Sequence, residues 1–232
     1  MIKNTPIYFY IAASIMSVLA MVIENEWLLL LFKPMIIPAL LIYYYGSEKK
    51  YLSIVLLGVL LIYFISDAFT LVDLNGMEVY TMVLDFIPYL LLVKVVLEDS
   101  LKIGYDKASL VMSGIGYVGL MLVMYYMVSS LNPETSEYAI AVVVYGVILA
   151  VYVCASLYNY LAIGYDFTMY IMIGACFGLI ADVLYIIANM IFYVKALTYI
   201  EFVFQIISYF YIVAYFIKRD LNALEHQELY VK

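Results

Sequence analysis

Long apolar runs, separated by short polar segments, fill the chain from residue 7 to residue 217. A run of about twenty apolar residues crosses a hydrocarbon core of ~30 Å when it forms an α-helix. The pattern predicts an all-α, polytopic membrane protein with eight transmembrane helices in one domain over residues 1–232, ending in a polar tail over 218–232. The predicted spans are Ile7 to Ile23, Leu28 to Tyr45, Tyr51 to Val72, Val79 to Leu97, Ala108 to Ser130, Tyr138 to Tyr158, Phe167 to Tyr193 and Thr198 to Ile217.

The composition supports this interpretation and excludes several classes of protein. Hydrophobic residues make up 68% of the chain, charged residues 12%, and the mean hydropathy is +1.06, whereas soluble domains carry about 25% charged residues. A net charge of −7 without a basic patch argues against nucleic-acid binding. His226, the single histidine, lies in the polar tail, which excludes a His-based metal site in the membrane. Carboxylates alone could still bind a hard cation.

Lysine and arginine predict the orientation, because short loops rich in these residues stay on the cytoplasmic side. With eight spans and a cytoplasmic N-terminus, nine of the eleven basic residues fall on that side, and only Lys33 and Lys195 fall outside. Both termini are therefore predicted to be cytoplasmic. We expect an integral membrane protein of the bacterial cytoplasmic (inner) membrane.

Two aspartates lie deep in apolar spans at matching points of the two halves of the chain. Asp67 is in the third span, and Asp182 is in the seventh span, 115 residues later. A charged group inside a membrane costs at least ~2.5–3.5 kcal/mol, so each aspartate predicts a functional site. Four spans in each half predict a parallel repeat, with halves of about 1–100 and 101–217. Asp85 and Glu201, near the outer ends of the fourth and eighth spans, form a second matching pair.

The seventh span presents small and polar residues on one helical face. Gly174, Gly178 and Asp182 recur at intervals of four residues, so they share a face, and a Gly-xxx-Gly pair lets another backbone approach closely. Asp182 is therefore predicted to point into the bundle. Tyr185 and Asn189 are predicted to continue this face toward the outer end.

The third span carries a polar stripe formed by Tyr63, Asp67 and Thr70. Lys33, at the outer start of the second span, is a candidate counter-ion for one of the two aspartates. Unequal neighbours could keep one aspartic acid protonated and the other ionised, as acid–base catalysis requires. The alternative is that both carboxyls are structural and form hydrogen bonds that hold the bundle together. For Asp85 and Glu201, ordinary solvated roles at the interface are the alternative.

The tetrapeptide Ile-Gly-Tyr-Asp occurs twice, at residues 103–106 and 163–166, each time directly before a predicted span. Aspartate is a favoured residue at a helix N-cap. We interpret Asp106 and Asp166 as N-caps without a chemical role.

Four short motifs follow one another along the chain: Phe32-Lys33-Pro34-Met35, residues 58–71 around Asp67, Gly174 to Asp182, and Phe202 to Ile207. In order and spacing they resemble, over most of the chain, the lysoplasmalogenase family of YhhN-like membrane proteins. The first is similar to the Lys-Pro opening of that family's second helix, and the next two are similar to its aspartate helices. The fourth, which contains Gln205, is similar to its final Tyr-x-x-Gln-x-x-Ile helix.

The resemblance implies an eight-helix enzyme that hydrolyses the vinyl ether of a lysoplasmalogen to a fatty aldehyde and a glycerophospho-base. It implies Asp67 and Asp182 as the catalytic pair, a lyso-lipid as the partner, and no metal or organic cofactor. The glycines and apolar neighbours of Asp182 favour it as the acid, which leaves Asp67 as the base or ion stabiliser. We expect further residues to bind substrate or support the site, namely Lys33, Tyr63, Thr70, Asp85, Tyr185, Asn189, Glu201 and Gln205.

The chain also departs from the family pattern. Ser66 precedes the first aspartate where the family usually has glycine, Ala181 replaces a common serine, and a family histidine on the fourth helix has no counterpart. A catalytically inactive family member is therefore one alternative. The other is a small transporter or proton relay, for which repeated halves, buried carboxyls and discontinuous helices are expected.

Overall fold

The computed structural model of the protein describes residues 5–47, 52–71, 78–103, 105–132, 138–164, 166–192 and 194–230, without the side chains of 78–82, 166 and 221–230. Within these ranges the regular structure is entirely helical. The helices are α1 (Thr5–Val22), α2 (Glu26–Phe32), α3 (Ile36–Tyr45), α4 (Ile54–Leu71), α5 (Glu78–Ile103), α6 (Lys107–Ser129), α7 (Ala139–Ile163), α8 (Asp166–Ile186) and α9 (Lys195–Tyr230).

Seven helical segments within the described ranges are long and apolar enough to cross a membrane. The eighth long helix, α5, has 26 residues, but it carries Glu98, Asp99 and Lys102 near its C-terminal end. Large apolar side chains cover the outer faces of the bundle, and Ile115 and Ile140 are among the most exposed. Because these faces suit hydrocarbon rather than water, the protein is an integral membrane protein. The seven segments are Thr5–Val22, Glu26–Tyr45, Ile54–Leu71, Lys107–Ser129, Ala139–Ile163, Phe167–Ile191 and Lys195–Asp220.

Polar contacts join the helix ends at one end of the bundle, which we call the Arg219 end. The Arg219 guanidinium donates two hydrogen bonds to Asp99 Oδ1, at 3.0 and 2.8 Å, and a third to Asp99 Oδ2 at 2.8 Å. The Tyr44 hydroxyl donates to Asp220 Oδ2 at 3.3 Å. These contacts tie the C-terminal parts of α3 and α5 to α9.

A second set of contacts marks the opposite end, which we call the Lys195 end. Lys195 forms an ion pair with Glu24, beside the end of α1. Asn132, which follows α6, donates from Nδ2 to the carbonyl of Ile191 at 2.7 Å. Helices α1 and α6 therefore end, and α9 begins, at the Lys195 end of the bundle.

Helices α8 and α9 approach closely because two glycines face α9. The Ser208 hydroxyl donates to the carbonyl of Gly174 at 2.8 Å. A Cβ atom at Gly174 would lie 3.3 Å from Tyr211 Cβ and 3.4 Å from the backbone nitrogen of Ile212. The predicted close approach at the Gly174–Gly178 face is thus confirmed.

Three predicted spans differ from the observed helices in their detail. The second is broken into α2 and α3 by a 3-10 turn at Lys33–Met35, because Pro34 lacks the N–H group that a continuous α-helix needs. The seventh leaves α geometry after Ile186 and ends in a π-helical turn, Ile187–Ile191. The last is longer than predicted, since α9 runs from Lys195 to Tyr230 and the polar tail continues the helix. The predicted limits at Tyr51, Val72 and Tyr193 lie outside the described residues.

The predicted N-cap at Asp106 is confirmed. Its Oδ2 atom accepts a hydrogen bond from the backbone nitrogen of Ser109 at 2.8 Å. The hydroxyl and then the N–H of Ser109 lower the pKa of Asp106 below its ordinary value. The stabilisation from the cap is therefore present above the ordinary pKa and is lost as the pH falls through the folded-state pKa. The side chain of Asp166 lies outside the described residues.

We predict that Gly174→Leu destabilises the protein by about 1–3 kcal/mol or more, because the new side chain must push α9 away. Gly114→Leu is the matched control, since a Cβ atom there meets no atom within 4 Å. Thermal unfolding of the purified protein in detergent measures both. A Gly174→Leu variant as stable as the Gly114→Leu variant would contradict the close packing of α8 against α9.

Candidate functional site

Four carboxyl groups from four different helices come together inside the bundle. Asp67 is on α4, Asp85 on α5, Asp182 on α8 and Glu201 on α9, and Glu201 interacts electrostatically with the other three. We call these four residues the carboxyl cluster. Lys33 also interacts with Glu201 and Asp85. The tertiary structure therefore joins both acidic pairs found in the sequence.

Asp67 is held by a cation and a tyrosine. Lys33 Nζ lies 3.2 Å from Asp67 Oδ1, and the Tyr209 hydroxyl donates to Asp67 Oδ2 at 3.4 Å. Lys33 also donates to Thr70 Oγ1 at 2.8 Å and lies 5.2 Å from the centre of the Phe202 ring. The predicted pairing of Lys33 with an aspartate is confirmed. Both carboxyl oxygens of Asp67 are thus engaged.

Asp182 receives hydrogen bonds from two tyrosines. The Tyr89 hydroxyl donates to Asp182 Oδ2 at 2.6 Å, and Tyr145 is a second side-chain partner. Gly178, one helical turn before Asp182, makes room for this arrangement, because a Cβ atom there would lie 3.0 Å from the Tyr89 hydroxyl oxygen. The glycine face of α8 therefore serves the site as well as the helix packing.

One hydrogen bond to each aspartate of the predicted pair crosses between the halves of the chain. Asp67 in the first half accepts from Tyr209 on α9, and Asp182 in the second half accepts from Tyr89 on α5. Each aspartate thus bonds to a tyrosine of the other half. This exchange links α4 with α9 and α5 with α8 at the centre of the bundle.

A small cavity lies within the cluster. Its volume is about 10 Å³, which is room for about one water molecule. Asp182 lies in its wall, whereas Asp67 reaches it through Tyr209, so the two aspartates do not face the cavity as an equal pair. Asp85 lies in the wall together with Asp182. The lining residues are Tyr63, Asp85, Tyr89, Tyr145, Gly178, Ala181, Asp182, Gln205, Ser208 and Tyr209.

Tyrosine rings pack against one another around this cavity, two pairs edge to face and the Tyr63–Tyr209 pair tilted. The ring centres of Tyr63 and Tyr209 are 4.7 Å apart, and those of Tyr89 and Tyr145 are 5.7 Å apart. Tyr63 also meets Tyr89, with ring centres 6.4 Å apart. Aromatic pairs at these separations are favourable and fix the ring orientations. The hydroxyl groups are therefore held in place around the carboxyls.

The predicted supporting residues divide into three groups. Tyr63, Asp85 and Gln205 lie in the cavity wall, and Lys33, Thr70 and Glu201 surround Asp67 or interact with the cluster. Asn189 is exposed and donates to the carbonyl of Tyr185 in its own helix at 2.9 Å. Neither Tyr185 nor Asn189 lines the cavity. Asn189 lies in the π-helical turn, whose wider geometry departs from the four-residue spacing that the prediction assumed.

Sequence reasoning missed three tyrosines and a serine of the site: Tyr89, Tyr145, Tyr209 and Ser208. The chain contains 27 tyrosines, and most positions near span ends suit a membrane-interface belt. Two of the three tyrosines carried a usable signal, since each lies one helical turn after a polar residue of the site. Tyr89 follows Asp85, and Tyr209 follows Gln205.

Searches for known relatives and for a metal centre add no assignment. In the described part of the chain, no three His, Cys, Asp or Glu side chains are arranged to hold a metal ion. Comparisons of the chain with protein-family models, with curated proteins and with solved structures found no match. The resemblance to the lysoplasmalogenase family therefore stays a prediction.

We predict that Lys33→Met destabilises the protein by about 3–5 kcal/mol, because it leaves the Asp67 carboxylate buried without its counter-ion. The double variant Lys33→Met/Asp67→Asn removes both charges and is expected to recover most of the loss. Thermal or denaturant unfolding in detergent measures these differences.

The exposed ion pair between Lys195 and Glu24 provides the control for this series. Lys195→Met is expected to cost at most about 1 kcal/mol, since solvent screens the pair. If Lys33→Met were no more destabilising than Lys195→Met, the buried ion pair would not hold the site together.

Proposed function

We propose that the protein is a membrane-embedded hydrolase that cleaves the vinyl ether bond of a lyso ether lipid, such as a lysoplasmalogen. The products are a fatty aldehyde and a glycerophospho-base. One observation carries the proposal: the Asp182 carboxyl, held by two tyrosine hydroxyls, faces a water-sized cavity inside the bundle. This arrangement supplies the groups that hydrolysis of an acid-labile ether needs.

Vinyl ether hydrolysis requires a positioned acid, a stabilising anion and a water molecule. Protonation of the outer vinyl carbon forms an oxocarbenium ion, which a nearby carboxylate stabilises. Water then adds to this ion, and the resulting hemiacetal collapses to the aldehyde and the alcohol. The Tyr89 and Tyr145 hydroxyls donate toward Asp182, which suits Asp182 to the anionic role rather than to the role of acid that its neighbours in the sequence favoured.

The charge balance of the cluster supports the presence of an acid. Lys33 supplies one positive charge near four carboxyl groups. A buried carboxylate without a partner is costly in a membrane. The cluster therefore retains protons at neutral pH, and these are the protons that the first step consumes.

A lipid chain enters the site only if the bundle opens, since the cavity has room for about one water molecule. Two interruptions of α geometry lie toward the Lys195 end: the 3-10 turn at Lys33–Met35 and the π-helical turn at Ile187–Ile191. Such interruptions are common at functional hinges. They favour access from that end of the bundle.

We further propose eight transmembrane spans, in two parallel halves, with both termini in the cytoplasm of a bacterium and the protein in its inner membrane. The contacts at the Arg219 end support an even number of crossings, because they join the end of α3, the end of α5 and the last helix. The crossed hydrogen bonds from Tyr209 to Asp67 and from Tyr89 to Asp182 support the paired halves.

The orientation predicts opposite results for two C-terminal fusions expressed in a bacterium. Green fluorescent protein is expected to fluoresce there, and alkaline phosphatase is expected to be inactive, because a cytoplasmic C-terminus keeps the phosphatase reduced. An alkaline phosphatase fusion inserted after Lys195 is expected to be active. An active phosphatase at the C-terminus would reverse the proposed orientation.

A small transporter or proton relay is the second candidate function. The specific observation in its favour is that α geometry is interrupted in two predicted spans near the cluster: the second is broken at Lys33–Met35, and the seventh ends in the π-helical turn at Ile187–Ile191. Discontinuous helices beside buried carboxyls are typical of transporters. The sequence did not predict a break in the two spans that carry Asp67 and Asp182, since neither contains proline.

We predict that wild-type protein in detergent releases aldehyde from lysoplasmalogen and that Asp182→Asn lowers the rate by about 10²–10⁴-fold. The control is Glu98→Gln, which changes a half-exposed carboxyl at the Arg219 end of α5. This variant is expected to keep the wild-type rate. Aldehyde assays and proton flux in liposomes are measured on the same preparations. Proton flux without aldehyde release would support the relay, and neither activity would indicate an inactive member of the family.

A further inference from the structure

Asp85 differs from the other acids of the cluster in having an oxygen without a partner. Its Oδ1 atom is buried and has no hydrogen-bond partner among the described residues. Ser66 on α4 is a side-chain hydrogen-bond partner of the same carboxyl. Buried polar atoms in proteins are almost always satisfied by protein or by ordered water. The unpaired oxygen of Asp85 therefore requires a partner that the described residues do not provide.

The cavity supplies the place for that partner. Asp85 and Asp182 both line it, and its volume of about 10 Å³ suits about one water molecule. A buried water needs two to four polar partners, and the cavity also presents Gln205, Ser208 and tyrosine hydroxyls. We propose that Asp85 is the second catalytic carboxyl and binds the hydrolytic water against Asp182, an inference that rests on the proposed hydrolase function.

Asp67 is the less suitable partner for Asp182 on geometric grounds. Lys33 engages its Oδ1 atom and Tyr209 engages its Oδ2 atom, and Asp67 is not among the residues that line the cavity. Because both oxygens of Asp67 are already engaged, neither is free to bind a water molecule in the cavity. Asp67 is instead a positioning residue, since it holds Tyr209 at the cavity wall.

The assignment gives a balanced reaction. The Asp85 carboxyl transfers its proton to the outer vinyl carbon, and the oxocarbenium ion forms beside the Asp182 carboxylate. The cavity water adds to the ion through its oxygen and gives a proton to the Asp85 carboxylate. In the hemiacetal, Asp182 accepts the hydroxyl proton while Asp85 protonates the leaving glycerol oxygen, and the carbon–oxygen bond breaks. Proton transfer from Asp182 to Asp85 restores the starting state.

The test combines aldehyde release from lysoplasmalogen with infrared spectroscopy of the purified, full-length protein in lipid nanodiscs. Asp85→Asn is compared with wild type and with Glu98→Gln, a carboxyl-to-amide change on the same helix at the Arg219 end. We expect Asp85→Asn to release aldehyde about 100-fold or more slowly. The wild-type spectrum is expected to show the band of a protonated carboxyl that shifts in D₂O, and Asp85→Asn is expected to lose it.

Folding is checked by thermal unfolding. We expect Asp85→Asn to fold, because the change removes a carboxyl whose buried oxygen has no partner in the described part of the chain. If Asp85→Asn does not fold, Asp85→Glu supplies the comparison, since the restored carboxyl is expected to recover the infrared band at a shifted position and part of the activity. Asp182→Asn must keep the band, because the proposal assigns that proton to Asp85.

The outcomes separate the two proposals. Asp85→Asn with wild-type aldehyde release, or with an unchanged carboxyl band, would overturn the assignment of Asp85 while the hydrolase proposal stands. No aldehyde release from wild type would overturn the hydrolase proposal. In that case, loss of the D₂O-sensitive band in Asp85→Asn alone would still support a protonated, water-binding Asp85.

Discussion

The cost of burying carboxyl groups in hydrocarbon is the constraint on which the centre of this protein depends. Asp67, Asp85, Asp182 and Glu201 lie together, and Lys33 is the cation that meets them. One ion pair and hydroxyl donors from three helices offset this cost. Tyr209 reaches Asp67, and Tyr89 and Tyr145 reach Asp182. Asp85 lines the cavity, and its buried Oδ1 atom has no hydrogen-bond partner among the described residues.

Helix packing follows from the same requirement. A tyrosine hydroxyl reaches Asp182 only because Gly178 leaves space for it, and Gly174 brings α9 close enough to place Ser208 and Tyr209 beside the cavity. At the Arg219 end, Asp99 and Arg219 join α5, which carries Tyr89, to α9, which carries Tyr209. That clamp lies ten residues, or about 15 Å, beyond each tyrosine. At the cluster the two helices are linked through α8, which accepts hydrogen bonds from Tyr89 on α5 and from Ser208 on α9.

The chemistry proposed for this site uses the difference between its acids. Asp182 has two hydroxyl donors, Asp67 has a counter-ion, and Asp85 has a buried oxygen without a partner. Acids with unequal surroundings can hold different protonation states, which is the basis of acid–base catalysis by two carboxyl groups. The cavity is large enough for water and too small for a lipid chain. Catalysis on a lipid therefore couples to opening of the bundle.

The apolar pattern and helical spacing of the sequence were sufficient to predict the membrane class, the approximate helix positions and the close approach of another helix at the Gly174–Gly178 face, and they made Lys33 a candidate counter-ion for an aspartate. These features follow from local hydrophobicity, helical spacing and the cost of an unpaired charge, which act within one helix or on any neighbour. Which acid faces the cavity was decided by the tertiary structure. Tyr89, Tyr145 and Tyr209 come from three helices, and the turn at Ile187–Ile191 moves Asn189 away. Such contacts depend on the rotation of packed helices about their axes, which the apolar pattern of a membrane span leaves undetermined because lipid and protein neighbours are equally apolar.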